Sequence, residues 1–276
     1  MTTDFSALDR PEVLMFLFHP RREHGAPGRS PSEPELKIPG TRDILVPVAE
    51  DVAVGVRFHL GGRDHANLLF FHGNGEIAAD YDEIGPYYNR IGINFLAADY
   101  RGYGRSTGHP TVASMMQDGH AIFRFVTDWL ARNGCDGPLL LMGRSLGSAP
   151  AIELAATHAD RVCGLIVESG FAFAGPLLEL LGVDAAAIGF REETAFRHLE
   201  KIARFQGPLL VIHAEFDHII PFSDGQALFD AGTSPRKTLL KIPGANHNDI
   251  LAHGFADYLA AVERLAAACS TPRIRS

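Results

Sequence analysis

Apolar residues recur along the chain as short unbroken runs at 67–72, 95–98, 138–142, 162–167 and 208–212. Runs of this length without polar alternation predict central strands buried on both faces. Between them lie stretches with helical patterning, at about 78–90, 112–132, 146–158, 223–231 and 250–268. Strand and helix alternate, which predicts an α/β fold: a mostly parallel central sheet with helices on both faces. Two earlier segments, 43–48 and 52–60, are joined by a tight turn at 49–51 and predict an antiparallel hairpin at one edge. A last strand is expected at about 238–242. Residues 171–205 are longer than one crossover helix needs. They predict a small helical cap, with helices at 176–181 and 192–202, inserted into a single domain spanning 1–276. Residues 20–40 are rich in Pro, Gly, Arg and Glu and read as an irregular connector. No internal repeat or low-complexity tract interrupts the pattern.

Composition narrows the picture. A chain of 276 residues with 46% hydrophobic positions can bury a sizeable core. Its net charge of −8 favours solubility and argues against a nucleic-acid partner. The run at 13–18 is too short for a signal-peptide core, and Asp4, Asp9 and Glu12 precede or flank it. It reads as a short helix on the domain edge rather than a membrane-surface anchor. No stretch approaches the roughly 20 apolar residues of a membrane span. The three cysteines, Cys135, Cys163 and Cys269, are odd in number and widely spaced. They suggest neither a disulfide framework nor a zinc site, and are read as reduced thiols in a cytoplasmic protein.

The candidate chemistry lies at strand ends. Gly143-Arg144-Ser145-Leu146-Gly147 is a G-x-S-x-G motif between an apolar strand and a helical stretch. A serine nucleophile must stand clear of the sheet on a sharp turn, which crowds the positions two before and two after, so only small residues fit there. The following helix directs its N-terminal N–H groups toward charge developing at Ser145. His72-Gly73-Asn74-Gly75 ends an earlier strand, and its glycines let the backbone approach a substrate oxygen. The oxyanion hole is assigned to the backbone N–H groups of Asn74 and Leu146, with His72 as a structural hydrogen-bonder. Asp217 follows the strand at 208–212, and His247 follows the last strand. The order Ser145, Asp217, His247 is that of a Ser-His-Asp triad. Glu215, Asp249 and Glu168 are rival acids, and His218 and His253 are weaker candidate bases. No HExxH, dinucleotide fingerprint or phosphate loop is present, so no metal or cofactor is expected.

Four motifs together resemble one branch of the α/β-hydrolases: His72-Gly73-Asn74-Gly75-Glu76, Asp99 through Ser106 (DYRGYGRS), Gly143 through Gly147, and Gly244-Ala245-Asn246-His247. Phe18-His19-Pro20-Arg21 is also similar. That branch includes lysophospholipase-like and monoacylglycerol-lipase-like enzymes and protein depalmitoylases, and the resemblance covers roughly residues 14–265. It implies that Asp99 and Arg101 brace the loop beside the active site. The chain departs from the depalmitoylase-like pattern in carrying Gly75 where alanine is usual, and in having no cysteine-rich N-terminal anchor. Both departures count against a membrane-protein substrate.

A serine at position 145 leaves esters, thioesters, amides and peptides as substrates. The expected function is hydrolysis of a small-molecule ester or thioester through an acyl-enzyme. The alternatives are a serine peptidase or amidase on the same fold and a catalytically silent binding protein.

Overall fold

The computed structural model describes residues 3–23 and 39–270. Its sheet has eight strands: β1 (Gly40–Ala49), β2 (Val52–Leu60), β3 (Ala66–Phe71), β4 (Ile93–Ala98), β5 (Leu139–Arg144), β6 (Gly164–Glu168), β7 (Leu209–Ala214) and β8 (Lys237–Ile242). They lie in the order β1-β2-β4-β3-β5-β6-β7-β8. The hairpin β1–β2 and the β2–β4 pair are antiparallel, and every other pair is parallel. Pro47 sits in β1, where the register shifts between Pro47 and Ala49. A proline without an N–H is tolerated there because β1 is an edge strand.

The parallel strands are buried on both sides. In β3, Leu69 and Phe71 face one core cluster, and Leu68 and Phe70 face the other. The first face carries α3 (Val112–Arg132), α4 (Ser148–Thr157), α6 (His198–Arg204) and α7 (Phe222–Ala231). The second carries α2 (Gly85–Arg90) and α8 (Ile250–Ser270). The remaining helices are α1 (Pro11–Leu17), near the N-terminus, and α5 (Ala174–Leu180), between β6 and β7.

Two expected helices are divided. The stretch expected as one helix at 78–90 divides into a 3₁₀ turn, Ala78–Tyr81, and α2. Pro86 stands in the first turn of α2, where its missing N–H costs no intrahelical bond. The helix expected at 192–202 divides at Ala195 into a 3₁₀ turn, Glu192–Thr194, and α6. Arg197, which caps α6, is left-handed (φ 54°). α6 packs against α4 and α7, in the helical layer over the sheet.

The cysteines require a correction. Cys163, just before β6, and Cys269, in the last turn of α8, form a disulfide with their Cα atoms 5.6 Å apart. α8 packs on β6 and brings together residues 106 apart in sequence, a proximity that spacing alone does not reveal. Only Cys135 is a free, buried thiol. Reading all three as reduced therefore fails, and it lends no support to a cytoplasmic location. No described helix is long and apolar enough to cross a membrane. Of the expected connector at 20–40, residues 24–38 lie outside the described residues.

Candidate active site

Ser145 stands where β5 ends and a 3₁₀ turn, Ser145–Gly147, leads into α4. Its backbone is left-handed (φ 51°), a strained conformation for a residue with a Cβ. The flanking glycines are required by close approach. A Cβ on Gly143 would stand 2.1 Å from the Gly147 carbonyl oxygen, and one on Gly147 would stand 2.1 Å from that of Phe71. Ser148 Oγ donates to the Ser145 carbonyl at 2.7 Å and secures the turn.

The structure brings Ser145, His247 and Asp217 together. Ser145 Oγ lies 3.0 Å from His247 Nε2, and His247 Nδ1 lies 2.7 Å from Asp217 Oδ2. The two bonds fit a hydroxyl donating to Nε2 of an imidazole whose Nδ1–H donates to the carboxylate. Asp217 Oδ1 accepts from the amides of Ile219 (3.0 Å) and Ile220 (2.8 Å). Burial disfavours the Asp217 charge, but the bonds from His247 and these two amides outweigh it and hold its pKa below the usual value. His213, buried beneath, places Nε2 2.8 Å from the Ile220 carbonyl and 3.6 Å from Asp217 Oδ2, and burial pushes its pKa down.

The rival acids point elsewhere. Glu215 binds Lys241 and the Gly244 amide. Asp249 caps the amide of Asn246 and faces His253. Glu168 accepts from Arg144 Nε (3.1 Å) and the Tyr258 hydroxyl (2.7 Å). Burial raises the Glu168 pKa despite the nearby Arg144. His218 lies on the wall of a neighbouring groove.

The amides of Asn74 and Leu146, the two expected oxyanion donors, have no acceptor among the described residues. His72 is fully buried, with Nδ1 on the Gly73 carbonyl and Nε2 3.3 Å from Asp99, so it has no access to substrate. Asp99 also accepts from the Ala78 amide, and Arg101 forks onto Asp118 at 2.7 and 2.8 Å, so both brace the adjoining loops.

One group escaped the reading from sequence. The Arg144 guanidinium contacts Glu76, Glu168 and the His247 carbonyl at once. Glu76 in turn accepts from the Gly73 amide and Tyr81, both at 2.7 Å. A charged residue in the middle of G-x-S-x-G, at the end of a buried strand, was the available signal.

Beside the loop that follows Asp217 lies a groove of about 230 Å³, with Phe173, Leu177, Leu180, Ile219 and Pro221 among its walls. One wall is the loop whose amides hold Asp217.

Comparison with known proteins bears on the fold and the family. The family described as "Serine aminopeptidase, S33" matches residues 62–188. Human alpha/beta hydrolase domain-containing protein 17B is 33% identical over 199 residues, which are 68% of this chain and 62% of that protein. An esterase from Pyrococcus furiosus superposes with a TM-score of 0.68 at 16% identity, covering 90% of this chain and 98% of its own. The chain is an α/β-hydrolase. A monoacylglycerol lipase from Paleococcus ferrophilus shares the fold of this α/β-hydrolase as well (TM-score 0.57, 20% identity, 73% of this chain and 94% of the lipase). The relatives fall on the branch its motifs resemble. The α/β-hydrolase described here matches less than two thirds of the length of the curated relatives.

Proposed function

We propose that this α/β-hydrolase is a serine esterase or thioesterase for small-molecule substrates with an apolar acyl group. Ser145 is the nucleophile, His247 the base and Asp217 the acid. The observation that carries the reading is the continuous bond path from Ser145 Oγ through His247 to Asp217, at 3.0 and 2.7 Å.

The chemistry follows from the geometry. His247 Nε2 takes the Ser145 proton as Oγ attacks the acyl carbon, and Asp217 stabilises the imidazolium that forms. The amides of Leu146 and Asn74 receive the oxyanion. The imidazolium then protonates the leaving alcohol or thiol, and an acyl-Ser145 ester remains. Water, deprotonated by His247, attacks that ester, releases the acid and returns the proton to Ser145. The apolar groove beside the Asp217 loop suits a hydrocarbon chain.

The family description favours a second reading, an aminopeptidase. Hydrolysis of amino-acid p-nitroanilides in preference to p-nitrophenyl esters would select it. The test of the first reading is labelling with a fluorophosphonate and mapping of the adduct. The label is expected on Ser145, and Ser145→Ala is expected to lose about 10⁴–10⁶ in kcat while remaining folded. Retained turnover in that variant refutes the assignment.

A further inference from the structure

The side chain of Asn74 is closed off by residues far from it in sequence. Asn74 Oδ1 accepts from the His19 amide (2.9 Å) and from the Tyr103 hydroxyl (2.7 Å). Nδ2 lies 2.8 Å from His19 Nδ1, and the His19 amide also reaches the Tyr103 hydroxyl at 2.8 Å. Two donors converge on Oδ1, so the amide group has only one orientation that satisfies them. Nδ2 must then donate to an unprotonated Nδ1 of His19. The next residues continue the contact. Arg21 Nε donates to the Gly75 carbonyl at 3.2 Å, its guanidinium pairs with Asp80, and Gly104 N donates to the Arg21 carbonyl at 2.8 Å. Gly75 is left-handed (φ 76°), which turns the loop back at this point.

We propose that the segment 19–21 is a strap that fixes the oxyanion hole, with His19 and Tyr103 as positioning residues for the Asn74 N–H. The proposal rests on the assignment of that N–H as an oxyanion donor. Neither residue touches the reacting atoms. They hold the side chain of Asn74 from outside, so that its backbone N–H faces the space in front of Ser145 rather than turning to solvent. His19 is exposed and Asn74 is half-buried, so both can be altered without opening the core. Tyr103 is fully buried and is changed only by loss of its hydroxyl.

The experiment uses the full chain and p-nitrophenyl butyrate, with active sites counted by fluorophosphonate titration. Asn74→Ala keeps the backbone N–H and removes the clamp. It is expected to lower kcat about 10- to 100-fold, less than or equal to the loss on deleting a whole oxyanion donor, with KM nearly unchanged. The inhibition constant of an alkylboronic acid, which needs the same donors, should rise in parallel. His19→Ala and Tyr103→Phe should each lower kcat several-fold, and His19→Ala should add nothing to Asn74→Ala. His19→Asn, which keeps an acceptor near the place of Nδ1, should restore most of the loss. Wild-type kcat per active site in Asn74→Ala, or additive losses in the double variant, would overturn the strap while leaving Ser145 as nucleophile. A wild-type protein that neither turns over the ester nor labels on Ser145 overturns the strap and the functional reading together.

Discussion

Arg144 Nη2 donates to the backbone carbonyl of His247 at 2.8 Å, so the residue before the candidate nucleophile holds the loop of the candidate base. The same guanidinium reaches Glu76 and Glu168, whose other partners are the Gly73 amide, Tyr81 and Tyr258. One side chain thereby ties together the exits of β3, β5 and β6 and the turn after β8. Removing it leaves the buried Glu168 and the half-buried Glu76 without their shared cation. Arg144→Met is expected to cost about 3–5 kcal/mol of stability. Arg144→Lys, which lacks the three-way fork, should retain the fold and lose kcat. Urea denaturation and kcat per labelled site measure the two effects. A methionine variant as stable as the wild type would show the cluster to be dispensable.

Asp217→Asn should lower kcat by something like 10⁴ while leaving the melting temperature close to wild type, since the amide cannot hold the His247 tautomer. Glu215→Gln and Asp249→Asn are the comparison. A greater loss in either would mean that the acid is misassigned.

The elbow predicts a steric penalty. Gly147→Ala places a methyl 2.1 Å from the Phe71 carbonyl oxygen, a backbone atom that cannot swing aside. The expected cost is about 1–3 kcal/mol or more, with activity lost as the turn shifts. A folded, fully active Gly147→Ala would contradict the packing described for β3 and the turn.

The fold was legible because its signals are local. Buried parallel strands read as unbroken apolar runs, and the elbow declares itself by its glycine spacing: Gly143 is demanded by a contact within the turn, although Gly147 is demanded by the Phe71 carbonyl of β3. Ser145, Asp217 and His247 could be chosen by type, order and position after strands. The Cys163–Cys269 pair could not, because only the packing of α8 on β6 places them together. Arg144 and His19 were equally hidden. Their partners, Glu76, Glu168 and the His247 carbonyl in one case and Asn74 and Tyr103 in the other, come from distant loops that meet only after the sheet has formed. The break at Ala195 reflects tertiary packing of α6 on α4 overriding a continuous helical pattern.

Acid should weaken the protein through α6. His198 is buried, with Nδ1 on the Phe171 carbonyl at 2.7 Å, and burial lowers its pKa from 6.5 to about 3. The unfolded chain takes up a proton below pH 6.5 that the folded chain refuses until about pH 3. Stability is therefore lost as pH falls through that window, by about 1.4 kcal/mol per unit. Glu153, held down to about 2 by the neighbouring His120 and by its ion pair with Lys201, adds a loss below its ordinary 4.5. Urea midpoints measured as the pH is lowered should show this slope, and His198→Phe should flatten it above pH 4.5. An unchanged slope would place the acid sensitivity elsewhere.

The groove beside the Asp217 loop separates two kinds of leucine on one short helix. Leu178 of α5 is 1% exposed and belongs to the main core, whereas Leu177 is half-buried and Leu180 is 57% exposed, and both line the groove. Leu181, one residue past the helix, is absent from the groove wall. If the groove receives the acyl chain, Leu177→Ser and Leu180→Ser should raise KM for longer p-nitrophenyl esters and spare the acetate. The discrimination lost should be about 1–3 kcal/mol per methylene-sized contact. Because Leu180 is already exposed, its replacement should leave the melting temperature nearly unchanged. Leu178→Ala should do the reverse: it opens a core cavity, costs about 2–5 kcal/mol of stability, and leaves the ranking of acyl lengths intact in the protein that remains folded. The measurement is kcat/KM against chain length for the three variants, paired with a thermal melt of each. A uniform loss across all esters in Leu177→Ser and Leu180→Ser, with lowered melting temperatures, would make these leucines core residues. The acyl chain would then have to lie elsewhere.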